Sequence, residues 1–128
     1  MKALVFLFSL ISMLTVQTVF ADVFKVINNT LVYDTGDGEL EDGHQAQLLE
    51  ILKAEKKIKT LALNSSGGLI WVASAMADLV IDAGLDTHVE FECASSCAIV
   101  FLAGQKRTMS LGGNIGFHKS YWEAQSMK

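Results

Sequence analysis

Three short segments of this chain carry residue types suited to acyl transfer: Asn64-Ser-Ser-Gly67-Gly68, Cys93-Ala-Ser95-Ser96-Cys97 and Gly116-Phe-His118. A serine hydroxyl becomes a useful nucleophile when a neighbouring base accepts its proton. The oxyanion it creates needs N–H donors aimed at it. Ser95 or Ser96 can supply the hydroxyl. His118 can supply the base if it reaches that hydroxyl at hydrogen-bond distance. Gly67 and Gly68 let the backbone approach a ligand closely and present N–H groups at a helix start. Each segment alone also has an ordinary reading. The glycine pair is a common tight turn, a serine before a helix is a common N-cap, and a histidine at a strand end is commonly a surface or hydrogen-bonded residue. His44, opening an amphipathic helix, and His88, within a strand, are expected to be solvated.

The elements that must position these residues follow from periodicity. Val23–Ile27 and Leu31–Tyr33 read as short strands around the turn-forming Asn28-Asn29, and Asp34–Gly38 as a loop. Glu41 to about Lys57 reads as a helix with Leu48, Leu49, Ile51 and Leu52 on its apolar face. Thr60–Asn64 is a short buried strand, and Ser65–Gly68 a turn. Leu69–Ala83 has Leu69, Val72, Ala73, Met76, Leu79, Val80 and Ala83 at helical spacing, with Gly84 as the residue that ends it. Thr87–Phe91 alternates as a strand, and Ala98–Ala103 is a buried helix closed by Gly104. Lys106–Leu111 and Asn114–Phe117 read as strands around Gly112-Gly113. Strands alternating with helices predict βαβ units: an α/β fold with a mainly parallel sheet and flanking helices. Ligands in such sheets bind beyond the carboxyl ends of the strands. Gly67-Gly68, Ser95-Ser96 and His118 all fall at or near such ends.

The amino terminus has the layout of a cleavable export signal. Lys2 precedes an apolar run from Ala3 to Leu14, more polar residues follow, and Val19-Phe20-Ala21 offers small residues where a signal peptidase reads. The run is interrupted by Ser9 and Ser12 and is short for a bilayer span. Residues 1–21 are therefore expected to be removed, leaving residues 22–128 as one small domain in the periplasm or outside the cell. The 128-residue chain has a formal net charge of −4 and no basic run, which argues against nucleic acid as a partner. In an oxidising compartment the two cysteines, Cys93 and Cys97, are expected to be bridged, although four residues is a short spacing. The other reading is a pair of small buried apolar residues. Two ligands this close without a His or carboxylate box make a poor zinc site, and no metal or cofactor is expected.

The order Leu61-Ala-Leu-Asn-Ser-Ser-Gly-Gly68, helix, strand, Cys93-Ala-Ser-Ser-Cys-Ala-Ile-Val-Phe-Leu-Ala-Gly104, Arg107, Gly116-Phe-His118 resembles the ClpP/crotonase superfamily. It is most similar to exported ClpP-like proteins with a Cys-Ala-Ser-x-Cys box and a Gly-Phe-His box. The resemblance covers about Val23 to His118. It implies a spiral of ββα units carrying a Ser-His-Asp peptidase site. Residue by residue, it implies Ser95 as nucleophile, nine positions before Gly104, with Ser96 as the fallback. It implies His118 as general base and the N–H groups of Gly67 and Ser96 as the oxyanion hole. Gly68 and Leu69 correspond to the wall along which an extended peptide lies. Two departures stand out. The family's Asn-Ser-Pro-Gly-Gly turn here has Ser66 in place of proline. The orienting acid, which the family keeps well downstream of the histidine, has no counterpart: the sequence given runs ten residues past His118, and Glu123 is the only acidic residue among them. The expectation is a domain lacking its C-terminal part.

Three functions follow as expectations. The first is an exported serine hydrolase that cleaves peptides or proteins. Without ATP outside the cytoplasm no ATPase partner is expected, so its substrates should be short or unfolded. The second is a catalytically inactive ClpP-like module that binds a peptide or a partner protein. A crotonase-like enzyme acting on a thioester fits less well, because export separates the protein from coenzyme A pools. The resemblance also implies self-association through helix faces as a homo-oligomer.

Overall fold

The computed structural model of the protein describes residues 22–119. The expected signal sequence and Glu123 lie outside the described residues. In chain order the elements are β1 (Phe24–Ile27), β2 (Thr30–Asp34), α1 (His44–Ala54), β3 (Thr60–Ser65), α2 (Ile70–Ala83), β4 (Asp86–Ala94), α3 (Cys97–Leu102), β5 (Arg107–Met109) and β6 (Asn114–Gly116). Every element expected from periodicity is present, with shifted ends. The largest shift is in α1, which starts three residues later than expected because Asp42 and Gly43 form a turn, with Gly43 at φ +98°. It stops at Ala54, before the lysine-rich turn.

The sheet runs β1-β2-β3-β4-β5, with β6 also paired to β4. The β1–β2 hairpin is antiparallel; β2, β3, β4 and β5 are parallel neighbours joined through α1, α2 and α3. β4 outruns the strand expected from Thr87 to Phe91 and reaches Ala94. That length lets one edge hold two partners in series. β5 pairs with Thr87–Val89 and β6 with Glu92–Ala94. On the other edge, β3 slips out of simple register between Leu63 and Ser65, opposite Val89 and Cys93. Phe91, which alternation alone would turn inward, is 66% exposed in this irregular stretch.

The core lies between the sheet and the helices. Leu31, Tyr33, Leu61, Leu63, Val89 and Cys93 project from the strands; Leu48, Val72, Ala73, Met76, Val80 and Val100 meet them from the helices. Each such side chain contributes about 1.5–3 kcal/mol by leaving water. The buried stripe of α2 is Val72, Ala73, Met76, Ala77 and Val80. Leu69, counted on that face by spacing, instead precedes the helix and is exposed, and Leu49 of α1 also faces outward. Gly84 closes α2 in the left-handed conformation at φ +63°, as the sequence suggests. Among the described residues no helix is long and apolar enough to cross a membrane.

His44 corrects the expectation of a solvated ring: it is buried at the start of α1. Its Nδ1 accepts the Tyr33 hydroxyl at 2.8 Å and the Glu41 N–H at 3.2 Å. Spacing cannot reveal this, because the ring is buried by the turn before the helix and by a tyrosine from β2. His88 is half-buried rather than free in solvent, and its ring contacts Thr108, Glu90 and Ser110. Burial lowers the His44 pKa from its ordinary 6.5, opposed in part by the Glu41 charge. The folded state then binds fewer protons than the unfolded chain, so stability is complete above pH 6.5 and falls as the pH drops below it. Denaturant titrations between pH 7 and 5 should show this decline, and His44→Gln should flatten it.

Candidate active site

The local path of the chain from β4 to α3 sets the site. Ser95 leaves the end of β4 at φ +55°, a left-handed conformation that costs a residue with a Cβ about 1–2 kcal/mol. Its N–H donates to the Gly116 carbonyl at 2.8 Å, continuing the pairing of Ala94 with Gly116 for one more bond. That register carries the chain beyond β6 back over the elbow. His118 Nε2 lies 2.6 Å from Ser95 Oγ. His118 Nδ1 lies 3.1 Å from the Lys119 carbonyl. A carbonyl can only accept, so Nδ1 carries the proton and Nε2 is left to receive the Ser95 hydroxyl proton. The structure thus brings Ser95 and His118 together.

Ser96 takes a different part. Its side chain is buried and donates to the Gly68 carbonyl at 3.0 Å, joining the elbow to the glycine turn. It precedes α3 but makes no side-chain cap bond to the helix. The ordinary capping role therefore does not account for it.

Gly67 is packed directly against the elbow. A Cβ built there would stand 2.7 Å from Ser95 Cβ and 2.8 Å from the Ala94 carbonyl oxygen, on a backbone at φ +104°. The turn is held from its far side by Leu40. Leu40 N–H donates to the Gly67 carbonyl at 2.7 Å, and Leu69 N–H to the Leu40 carbonyl at 3.0 Å. The Gly67 N–H, expected to be free for an oxyanion, instead donates to Ser65 Oγ at 3.2 Å. Among the described residues the N–H groups of Gly68 and Ser96 have no hydrogen-bond partner. At this corner the Gly67 N–H is thus engaged, while those of Gly68 and Ser96 are free.

Cys93 and Cys97 form a disulfide across the same corner, with Cα atoms 5.2 Å apart and both residues fully buried. Beside Ser95 is a pocket of about 190 Å³ lined by Ile70, Ser95, Ser96, Ile99, Phe117 and His118. It opens beside a shallow groove along Gly68, Leu69, Ile70 and Trp71. A larger pocket of about 340 Å³ borders Glu39, Glu41 and His44 but includes no serine or cysteine. Among the described residues, no three His, Cys, Asp or Glu side chains gather as a metal site would require. Sequence reasoning missed the Leu40 bridge, the Ser65 hydroxyl and the Lys119 carbonyl. The first arises from a chain crossing that periodicity does not encode, the second is a local serine turn that the Ser65-Ser66-Gly67 sequence could have signalled, and the third is a main-chain atom.

The mostly parallel sheet with its flanking helices and strand-to-helix serine elbow defines a ClpP-like fold. The chain is similar in structure to ClpP1 from Listeria monocytogenes, solved as a point mutant. The TM-score is 0.61 with 18% sequence identity, covering 73% of this chain and 57% of that one. The chain therefore matches little more than half the length of that relative, and at this identity the likeness is one of fold. No family model and no curated protein matches the sequence.

The packing of Gly67 gives a direct test. Gly67→Ala forces the turn away from Ser95 and Ala94. It should lower unfolding stability by about 1–3 kcal/mol in denaturant titration and move the His118 ring resonances in an NMR spectrum. An unchanged spectrum would show that the turn and the elbow are not coupled.

Proposed function

We propose that the protein is an exported serine hydrolase of ClpP-like fold that cleaves short or unfolded peptides through Ser95 and His118. The observation that carries this reading is the 2.6 Å contact between Ser95 Oγ and His118 Nε2, with Nδ1 engaged by a carbonyl. In the first step Ser95 Oγ attacks the scissile carbonyl while His118 Nε2 takes its proton. The oxyanion is held by the Gly68 and Ser96 N–H groups. His118 then protonates the leaving amine, the acyl-enzyme forms, and water activated by the same ring releases the product. An extended peptide would lie in the shallow groove lined by Gly68, Leu69, Ile70 and Trp71. Ile70, Ile99 and Phe117 would receive an apolar side chain beside the scissile bond.

The Lys119 carbonyl fixes the tautomer but brings no negative charge to the imidazolium that forms in the transition state. In a well-studied serine protease, loss of the carboxylate together with the correct tautomer costs about 10⁴ in kcat. Among the described residues the His118 ring contacts this carbonyl and Ser95 and no carboxylate, and with the tautomer fixed the serine is competent to acylate. Export follows from the amino-terminal sequence and agrees with the buried disulfide. Self-association would use the exposed apolar residues of α2, including Trp71 and Ile81.

A fluorophosphonate probe tests the site. Wild-type protein should label, Ser95→Ala should not, and Ser96→Ala should label more slowly because it releases the turn. His118→Ala should slow labelling by about 10²–10⁴. A folded wild-type protein that never labels would leave the binding-module reading, in which the groove holds a peptide without cutting it. Intact mass of protein recovered from outside the cytoplasm should correspond to a chain beginning at Asp22; a chain still carrying Met1 would contradict cleavage.

A further inference from the structure

We propose that the Cys93–Cys97 disulfide is a positioning element for the Ser95 nucleophile rather than a brace for the fold; this rests on the reading of Ser95 as the reacting serine. The bond joins residues only 4 apart in sequence. A cross-link stabilises a fold chiefly by the freedom it removes from the unfolded chain, and that gain grows with the length of the closed loop. A loop this short gains the least. The core on either side is assembled by other groups: Leu61, Leu63 and Val89 from the sheet, Val72, Met76 and Val100 from the helices.

The local effect is of another kind. Cys93 is an inward residue of β4, fixed by its pairing with Ser65 on one side and Ile115 on the other. Cys97 is the first residue of α3. The three residues between them must turn the chain from strand to helix, and Ser95 at their centre holds φ +55°. Ser95 would relax to an ordinary backbone conformation if the corner could widen. That movement would carry Oγ away from His118 Nε2. Four hydrogen bonds also restrain the corner: Ser95 N–H to the Gly116 carbonyl, Ser96 Oγ to the Gly68 carbonyl, and the Ala98 and Ile99 N–H groups to the Ser95 and Ser96 carbonyls. None of them joins β4 directly to α3. The disulfide alone does so covalently. Because both sulfurs are buried beneath the elbow, a pair of unbonded side chains there must each claim its own volume in a closed core.

The test compares the full chain with Cys93→Val/Cys97→Ala and Cys93→Ala/Cys97→Ala. Circular dichroism reports the fold, and fluorophosphonate labelling over a range of probe concentrations separates the maximal rate from half-saturation. The expected result is a folded double variant whose maximal labelling rate is about 100-fold lower, with half-saturation little changed. A folded variant that labels at the wild-type rate overturns the inference. So does failure of both variants to fold, because the bond would then serve the fold itself. Absence of labelling in the oxidised wild-type protein is a separate result: it removes the reading of Ser95 as nucleophile on which the inference stands.

Discussion

The pairing of β4 with β6 is the constraint from which the site follows. β4 is one strand with three partners: β3 along one edge, β5 and β6 in series along the other. The last rung joins Ala94 to Gly116, and the next hydrogen bond, from Ser95 N–H to the Gly116 carbonyl, belongs to the elbow. From Gly116 to His118 is two residues, and from Ala94 to Ser95 is one. A slip of one residue in this register would turn β6 over and send His118 to the other face. The short β6 can hold its register because Ile115 is anchored against the core and Gly116 fits closely over Ala94. A Cβ on Gly116 would stand 3.1 Å from that of Ala94.

The glycine turn completes the arrangement from the other side. Gly67 touches the elbow, Gly68 receives the Ser96 hydroxyl, and Leu40 crosses over to bond both sides of the turn. Leu40 itself is buried, so the loop from β2 to α1 is fastened to the core at the point where it supports the site. Ser66 stands in this turn without the backbone restriction a proline would bring. The turn is fixed by hydrogen bonds to Leu40 and Ser65, and does not need a ring to restrict φ at the residue before Gly67.

Much of this was legible in the sequence. The 3.6-residue stripe of α2, the alternation in β4, and the glycines after β3 and α2 report directly on burial and turns, and they suffice for a parallel α/β sheet. Cys93-Ala-Ser-Ser-Cys97 and Gly116-Phe-His118 are informative because each lies next to the end of a strand. What escaped was whatever depends on two distant segments meeting. No periodicity says that Tyr33 will cover His44, that Leu40 will bridge the glycine turn, or that β4 will run three residues past Phe91. The alternation fails at Phe91 because β3 and β4 lose register there, so the pattern that defines a strand breaks inside the strand. The element ends moved for a similar reason: propensity sets where a helix can run, while Gly43 and the Leu40 crossing decide where α1 begins.

A histidine base needs two separate things from its partner on Nδ1, and this site separates them. One is the tautomer, a matter of which nitrogen carries the proton. Any acceptor satisfies it, and the Lys119 carbonyl at 3.1 Å does so. The other is charge: an anion stabilises the imidazolium formed when the serine proton arrives, and a neutral carbonyl does this only through its dipole. Among the described residues the Ser95–His118 pair is therefore arranged for the direction of proton transfer, with no carboxylate beside the ring to add the electrostatic gain of a triad. His118 is also exposed, so water can solvate the developing positive charge in place of a buried carboxylate. Solvent is a weaker partner than a preorganised anion because it must reorient during the reaction.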